Sequence, residues 1–255
     1  MANKLWTREE LMLAFELYLE IPFGKIHWSN LKVIELSKLL NRTPASISIR
    51  LSNFAHVDPY HQGRGVKGMS GGKKQVEPIW NEFNANRDNL LFECAIIRAK
   101  YANKSIEEYY HISENDLYKE GKTREQIIQA RVNQTIFRKI VLAAYDNSCC
   151  ITGINDPDLL IASHIIPWSK DKKNRLNPQN GFCFNPLHDK AFEIGLITIT
   201  PDYKIKNSSE FKKQSKDAAI QEYFLRFENK QITLPSRFLP DKDFLKYHNE
   251  ERFKG

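Results

Sequence analysis

The chain has 255 residues, of which 41% are hydrophobic and 27% charged, a composition that supports a buried core and excludes disordered and collagen-like chains. Its length favours two domains with a connector, since most domains span roughly 100–150 residues. There is no apolar run near the ~18 residues of a membrane span, no signal-peptide pattern and no disulfide spacing among the four cysteines. We therefore expect a reduced, cytoplasmic protein.

The positive charge is concentrated in one part of the chain. The net charge of +7 favours an anionic partner, either nucleic acid or a membrane surface. Between Arg42 and Lys74 there are six basic residues and a single acid, Asp58. This segment supplies most of the net charge.

Three helices are predicted in the N-terminal region. Thr7 and Glu10 form a capping box before a first helix over about residues 7–20, and a second amphipathic run follows. Thr43 can cap a third helix that ends near His56. The tight turn before this last helix resembles that of a helix-turn-helix module, whose final helix lies in the major groove of DNA.

The third helix and the glycine-rich segment after it supply the predicted DNA contacts. The polar side chains of the helix are expected opposite its apolar ones, where they can reach phosphates or base edges. The glycines and cations of residues 63–74 suit close approach to a phosphate backbone. The alternatives are an ordinary polar helix face and a flexible, solvated loop. The residues predicted to contact DNA are Ser46, Ser48, Arg50, Asn53, Arg64, Lys67, Lys73 and Lys74.

Helical periodicity continues over residues 88–145, interrupted by a polar stretch at 107–121 that is typical of a hinge. We therefore predict a helix-turn-helix-like recognition domain over residues 1–83, a helical connector over 84–136 and a second domain over 137–255.

The second domain carries the residues suited to catalysis. Two predicted strands, at 159–166 and 181–184, and a short helix after them can bring His164, Asn180 and His188 together. His164 can take a proton from water at neutral pH, and His188 can offer a ring nitrogen to a divalent metal. Asn180 can bond either a backbone group across the loop or the imidazole. A single histidine in an apolar strand is usually a hydrogen-bonded core residue, but the three side chains together outweigh that explanation.

These residues resemble the HNH nucleases with the ββα-metal fold. The shared motifs are Cys-x-x-Thr-Gly, Ala-x-His-Ile-x-Pro, Asn-Gly and Leu-His-x-x-Phe, over about residues 137–199. The resemblance implies an α+β, mainly helical protein with a C-terminal ββα-metal domain. It also implies cleavage of DNA phosphodiester bonds with one Mg²⁺ or Mn²⁺ per active site. In that chemistry His164 activates water, Asn180 is the middle residue of the motif and His188 binds the cation.

The sequence departs from the family pattern in three places. Many HNH enzymes have Asp or His before the base as a second metal ligand, whereas this chain has Ser163. Either water fills that coordination site, Ser163 contributes weakly, or Asp189 supplies the carboxylate. The two Cys-x-x-Cys pairs of zinc-stabilised relatives are missing, so no structural zinc is expected. Glu193 replaces a common Asp after the helix phenylalanine.

The leading hypothesis is a restriction-type endonuclease that cuts double-stranded DNA, with sensing of base modification left open. A homodimer would supply the two sites that a double-strand break needs. The alternative is a DNA-binding regulator with a vestigial nuclease domain, supported by Ser163. An RNA-directed protein is a weaker alternative, because the aromatic strand signature of common RNA readers is missing.

Overall fold

The computed structural model of the protein describes residues 5–65, 69–84, 86–117 and 122–255. The chain divides into two units, the first ending at Ile136 and the second comprising Phe137–Gly255. Helices predominate among the described residues, and their strands pair as two short antiparallel ribbons. This agrees with the mainly helical α+β class expected from the sequence.

The elements have the following bounds. The first unit contains α1 (Arg8–Glu20), α2 (Leu31–Leu39), α3 (Pro44–Val57), α4 (Pro59–Gly63), α5 (Lys73–Phe83), α6 (Arg87–Tyr101) and α7 (Ile106–Tyr109), and α8 (Arg124–Ala144) continues into the second unit. The second unit contains β1 (Ile161–His164), β2 (Gly181–Phe184), α9 (Pro186–Glu193), β3 (Ile197–Ile199), β4 (Ile205–Asn207), α10 (Ser209–Lys213), α11 (Ala218–Tyr223) and α12 (Lys242–Glu251).

Two predicted helix starts are confirmed by their caps. The Thr7 hydroxyl accepts the Glu10 N–H at 3.2 Å, and the Glu10 carboxylate accepts the Thr7 N–H at 2.8 Å. Thr43 caps α3 by accepting the Ser46 N–H at 3.2 Å. Such caps satisfy backbone donors that the first helical turn leaves unbonded.

α1 is the central helix of the first unit. Each of its residues from Glu10 to Glu20 is buried, because α3, α5 and α6 all pack on it. The Phe15 ring stacks on Phe54 at 4.8 Å and tilts against Trp80 at 5.2 Å. The amphipathic helix expected here is therefore enclosed on its polar side as well.

The three buried glutamates of α1 are each neutralised by a cation from another part of the unit. An unpaired carboxylate would be costly in this position, because burial removes its hydration. The ion pairs are Glu10–Arg42 at 2.8 Å, Glu16–Arg98 at 2.7 Å and Glu20–Lys32 at 3.2 Å.

The segment expected as a connector, residues 84–136, clusters with the N-terminal helices. Leu91 and Cys94 of α6 are fully buried, and α6 packs against α1. The polar stretch at 107–121 includes the end of α7 and a 3₁₀ turn at Glu114–Leu117, while residues 118–121 lie outside the described part. None of the helices described has the length and apolar composition required to span a membrane.

The second unit is built around the ribbon of β1 and β2. The strands are antiparallel, with His164 opposite Gly181, and α9 follows β2 directly. The predicted strand at 181–184 is confirmed, and the strand predicted at 159–166 is shorter, because a 3₁₀ turn ends at Leu159.

A close approach of α8 requires glycine at position 181. A Cβ atom on Gly181 would lie 2.7 Å from Cγ2 of Val141 and 2.9 Å from Cζ of Phe137, both on α8. Glycine lets the helix rest directly on the ribbon. This contact brings Phe137 next to the strand end that carries His164.

Candidate active site

His164 is held on several sides at the end of β1. The Phe137 ring stacks on the imidazole at 3.9 Å with an interplanar angle of 12°, and the Trp168 ring meets it edge-on at 5.4 Å. Nε2 lies 2.8 Å from the carbonyl oxygen of Arg175. A carbonyl can only accept, so Nε2 carries the proton and Nδ1 of the neutral ring is left as an acceptor.

The surroundings of His164 favour the neutral ring. Burial is the largest effect and lowers the pKa of His164, and the nearby charge of Arg175 lowers the pKa further. The hydrogen bond to the Arg175 carbonyl opposes this shift. The imidazole therefore has the protonation state of a general base at neutral pH.

Asn180 closes the loop between β1 and β2. Its side chain is 1% exposed, accepts the Ile166 N–H at 2.8 Å and donates to the carbonyls of Ile166 and Asn174, both at 3.2 Å. The sequence left two roles open for Asn180, and the structure shows the first of them, hydrogen bonds to backbone groups across the loop. Because Asn174 precedes Arg175, Asn180 anchors the peptide group next to the one whose carbonyl accepts the His164 hydrogen bond.

Arg175 also contributes its own side chain to the shape of this loop. Its Nε donates to the Trp168 carbonyl at 2.8 Å, and its guanidinium lies 5.1 Å from the centre of the Trp168 ring. The carbonyl that orients His164 is thus fixed from both sides.

A cavity of about 290 Å³ opens beside His164. Ser163 and His164 line it from β1, Asp189 and Glu193 from α9, and Arg252 from the residue after α12. A histidine, two carboxylate residues and an arginine therefore line one partly open cavity.

Asp189 and Ser163 both line the cavity and form its polar wall. Burial is the largest effect on Asp189 and raises the pKa of its carboxyl group, the nearby Ser163 hydroxyl lowers this pKa, and the charge of Glu193 raises it again. A cation would relieve the repulsion between the two carboxylates.

The donors of this wall fit a hard divalent cation, because Mg²⁺ prefers carboxylate and hydroxyl oxygens and retains several water ligands. Water ligands would be essential here. Within the described ranges there is no group of three or more His, Cys, Asp or Glu side chains placed to hold a metal ion.

His188 does not take the position expected from the sequence. Its side chain is 1% exposed, with Nδ1 3.1 Å from Oδ1 of Asn185 and Nε2 2.8 Å from the carbonyl oxygen of Tyr223. The structure therefore does not place His188 among the residues that line the cavity with His164, and metal binding by His188 stays a prediction. Consecutive helical residues point about 100° apart, so α9 directs Asp189 into the cavity and His188 into the protein interior.

The cavity combines a neutral histidine, oxygen donors for a cation and a positive side chain, which are the groups that phosphodiester hydrolysis requires. Residues 149–200 match the family model described as HNH endonuclease. The match includes His164, Asn180 and Asp189 and supports a nuclease activity with DNA as substrate. HNH nucleases generally use a divalent metal. No curated protein matches the chain.

Two of the DNA contacts predicted on α3 are not on its surface. Arg50 is 9% exposed and Asn53 is 2% exposed, so the prediction that they lie on the outer face is wrong. Position 50 falls three residues after Ile47 and four before Phe54, which places Arg50 on the apolar side of the helix. Asn53 donates to the Met69 carbonyl at 2.5 Å and so holds the chain before α5.

The remaining predicted DNA contacts differ in exposure. Ser46 and Ser48 on α3 are half-buried. The cations flanking the glycine-rich segment, Arg64, Lys73 and Lys74, are exposed, and Lys67 lies outside the described residues.

Two residues of the site were missed by the sequence analysis, and a third was underestimated. Phe137 belongs to the apolar pattern of α8, which gives no sign of a histidine stacked on it. Arg252 is 59 positions beyond Glu193, yet both line the same cavity. Glu193 was noted only as a replacement for Asp. Helical spacing could have indicated Glu193, which is one turn after Asp189.

Proposed function

We propose that the protein is a metal-dependent DNA endonuclease whose second unit hydrolyses phosphodiester bonds. The observation that carries this proposal is the state of His164. Its Nε2 proton is committed to the Arg175 carbonyl, and its Nδ1 belongs to a neutral ring at the edge of the cavity. A general base needs such a free lone pair. The match of residues 149–200 to HNH endonucleases supports the same reaction.

His164 takes a proton from the water that attacks phosphorus. The proton goes to Nδ1, and the Nε2–H stays on the Arg175 carbonyl, so the ring keeps its orientation as it becomes charged. Phe137 and Trp168 restrict rotation of the ring before and after the transfer. Orienting the base in this way removes part of the entropic cost of the reaction.

Asp189, with Ser163 and Glu193, would hold the cation, Mg²⁺ or Mn²⁺. When bound, such a cation neutralises charge on the phosphate and favours departure of the alkoxide. His188 has a supporting role in this proposal, because its buried ring packs between Oδ1 of Asn185, the cap of α9, and the Tyr223 carbonyl oxygen, one of which accepts its N–H.

DNA recognition is assigned to residues 1–83, as a helix-turn-helix-like module within the first unit, with residues 84–136 leading to the nuclease. The exposed cations Arg64, Lys73 and Lys74 support this assignment, since cations that neutralise phosphates provide sequence-independent affinity. A DNA-recognition module joined to a nuclease domain is the arrangement of a restriction enzyme that acts on double-stranded DNA. A homodimer would supply one active site for each strand.

The test is cleavage of plasmid DNA by the full chain with Mg²⁺ or Mn²⁺. His164→Ala should lower the rate by roughly 10²–10⁴-fold, because the base is lost, while DNA binding is retained. His27→Ala removes an exposed histidine of the first unit and is the matched control. EDTA should stop cleavage and added Mg²⁺ should restore it.

Two results would count against the proposal. Unchanged turnover of His164→Ala would remove the base assignment. DNA binding without any cleavage by the wild type in either metal would favour the alternative, a regulator with a vestigial nuclease domain, for which Ser163 in place of an acidic ligand is the supporting observation.

A further inference from the structure

The cavity is also lined by an arginine from a part of the chain that the nuclease match does not include. Arg252 follows α12 and lines the same cavity as Ser163, His164 and Asp189. The family match ends at residue 200, so it assigns nothing to Arg252. The position of this side chain therefore needs its own explanation.

The backbone around Arg252 is anchored to α9 and to the turn after it. The His248 ring stacks on Phe192 at 3.7 Å with an interplanar angle of 6°, and its Nε2 lies 3.0 Å from the Phe192 carbonyl oxygen. Beyond Arg252, the Lys254 N–H donates to the Gly195 carbonyl at 2.9 Å. Arg252 is thus held in place from both sides along the chain.

The charge of Arg252 has no carboxylate partner among the described residues. Its Nη2 donates to the backbone carbonyl of Glu193, whereas the Glu193 carboxylate pairs with Lys190 at 2.7 Å. By contrast, Arg42 and Arg98 in the first unit each pair with a buried glutamate. A guanidinium anchored by one nitrogen keeps its remaining donors for an anion.

The positive charge of Arg252 favours an anion in the part of the cavity next to this residue. His164 is neutral, and Asp189 with Ser163 forms a wall suited to a cation. Arg252 is the strong permanent cation of the lining and presents several N–H donors in one plane. This geometry suits two oxygens of a phosphate, which a guanidinium binds in a bidentate manner.

We propose that Arg252 binds the nonbridging oxygens of the phosphodiester that is cut. This inference rests on the proposed nuclease function and adds a phosphate-binding residue to it. Arg252 fixes the phosphate between the His164 base and the cation-binding wall, and its charge opposes the negative charge that develops on the oxygens during attack.

The test compares Arg252→Gln and Arg252→Lys with Lys254→Gln in the full chain. Lys254→Gln removes one exposed positive charge two residues away and is the matched control. Steady-state cleavage of a duplex oligonucleotide should show kcat/KM lowered by about 10²–10³-fold for Arg252→Gln, the range typical of losing one transition-state donor. Arg252→Lys should recover part of the loss, and Lys254→Gln should remain within threefold of the wild type.

A second readout separates phosphate binding from a structural role. Sulfur in place of one nonbridging oxygen weakens the guanidinium contact, so one phosphorothioate diastereomer should slow the wild type more than it slows Arg252→Gln. Equal slowing of both enzymes by both diastereomers, or activity of Arg252→Gln within threefold of the wild type, would overturn the proposal. Full activity of His164→Ala would instead remove the nuclease mechanism itself, so the two failures are distinguishable.

Discussion

Replacing Asn180 tests whether this residue acts by holding the loop or by contacting substrate. Asn180→Ala leaves the Ile166 N–H without its acceptor, which costs about 1–3 kcal/mol, and removes two further bonds worth about 0.5–1.5 kcal/mol each. Solvent can reach part of the loop, so we expect a loss near 3 kcal/mol. For a unit of this size that lowers the midpoint of thermal unfolding by about 10 °C.

The assay is thermal unfolding of the full chain together with hydrogen exchange of the loop after β1. Gln179→Ala is the neighbouring control, since Gln179 makes one long side-chain bond, 3.3 Å to the Leu239 carbonyl, and should cost less than about 1 kcal/mol. In Asn180→Ala the Ile166 amide should exchange faster, and cleavage should fall because the Arg175 carbonyl no longer fixes His164. Wild-type stability and exchange combined with lost cleavage would refute the reasoning and place Asn180 on the substrate.

Three further predictions concern buried groups. Glu10→Gln removes the carboxylate that pairs with the buried Arg42 and should destabilise the first unit by about 3–5 kcal/mol in urea denaturation, unlike a substitution of the exposed Glu77. Burial lowers the pKa of His248 to about 4, below its unfolded value near 6.5, so the unfolded chain binds more protons between these values. Stability should therefore be complete above pH 6.5 and fall towards pH 4, and His248→Gln should show a weaker dependence. Burial also raises the pKa of Cys150, so a thiol reagent at pH 8 should modify it after denaturation and spare it in the native protein.

Local sequence signals predicted the parts of this structure that depend on neighbouring residues. The capping box at Thr7 and the cap at Thr43 are examples, because both ends of each hydrogen bond lie within four positions of one another. His164 was recognised because a polar residue interrupts an apolar strand. Each of these features depends on only a few neighbouring residues.

The errors arose where contacts between distant elements decide the outcome. Arg50 is buried because α5 packs on α3. His188 points into the interior, where its ring nitrogens lie against oxygen atoms of Asn185 and Tyr223. Arg252 had no local signal, since only the fold brings it to the cavity. Arg50 is an exception in part, because its helical spacing from Ile47 was a local signal that the sequence analysis overlooked.

The stacking of Phe137 on His164 limits how the candidate catalytic hairpin of β1 and β2 can be reused. The segment that matches the nuclease family begins at residue 149, so it leaves behind both the aromatic support of the base and the guanidinium of Arg252. An engineer who fuses the hairpin to another DNA reader would have to carry α8 from Phe137 and α12 through Lys254. A shorter cassette would keep the recognisable motif and lose the groups that orient its chemistry.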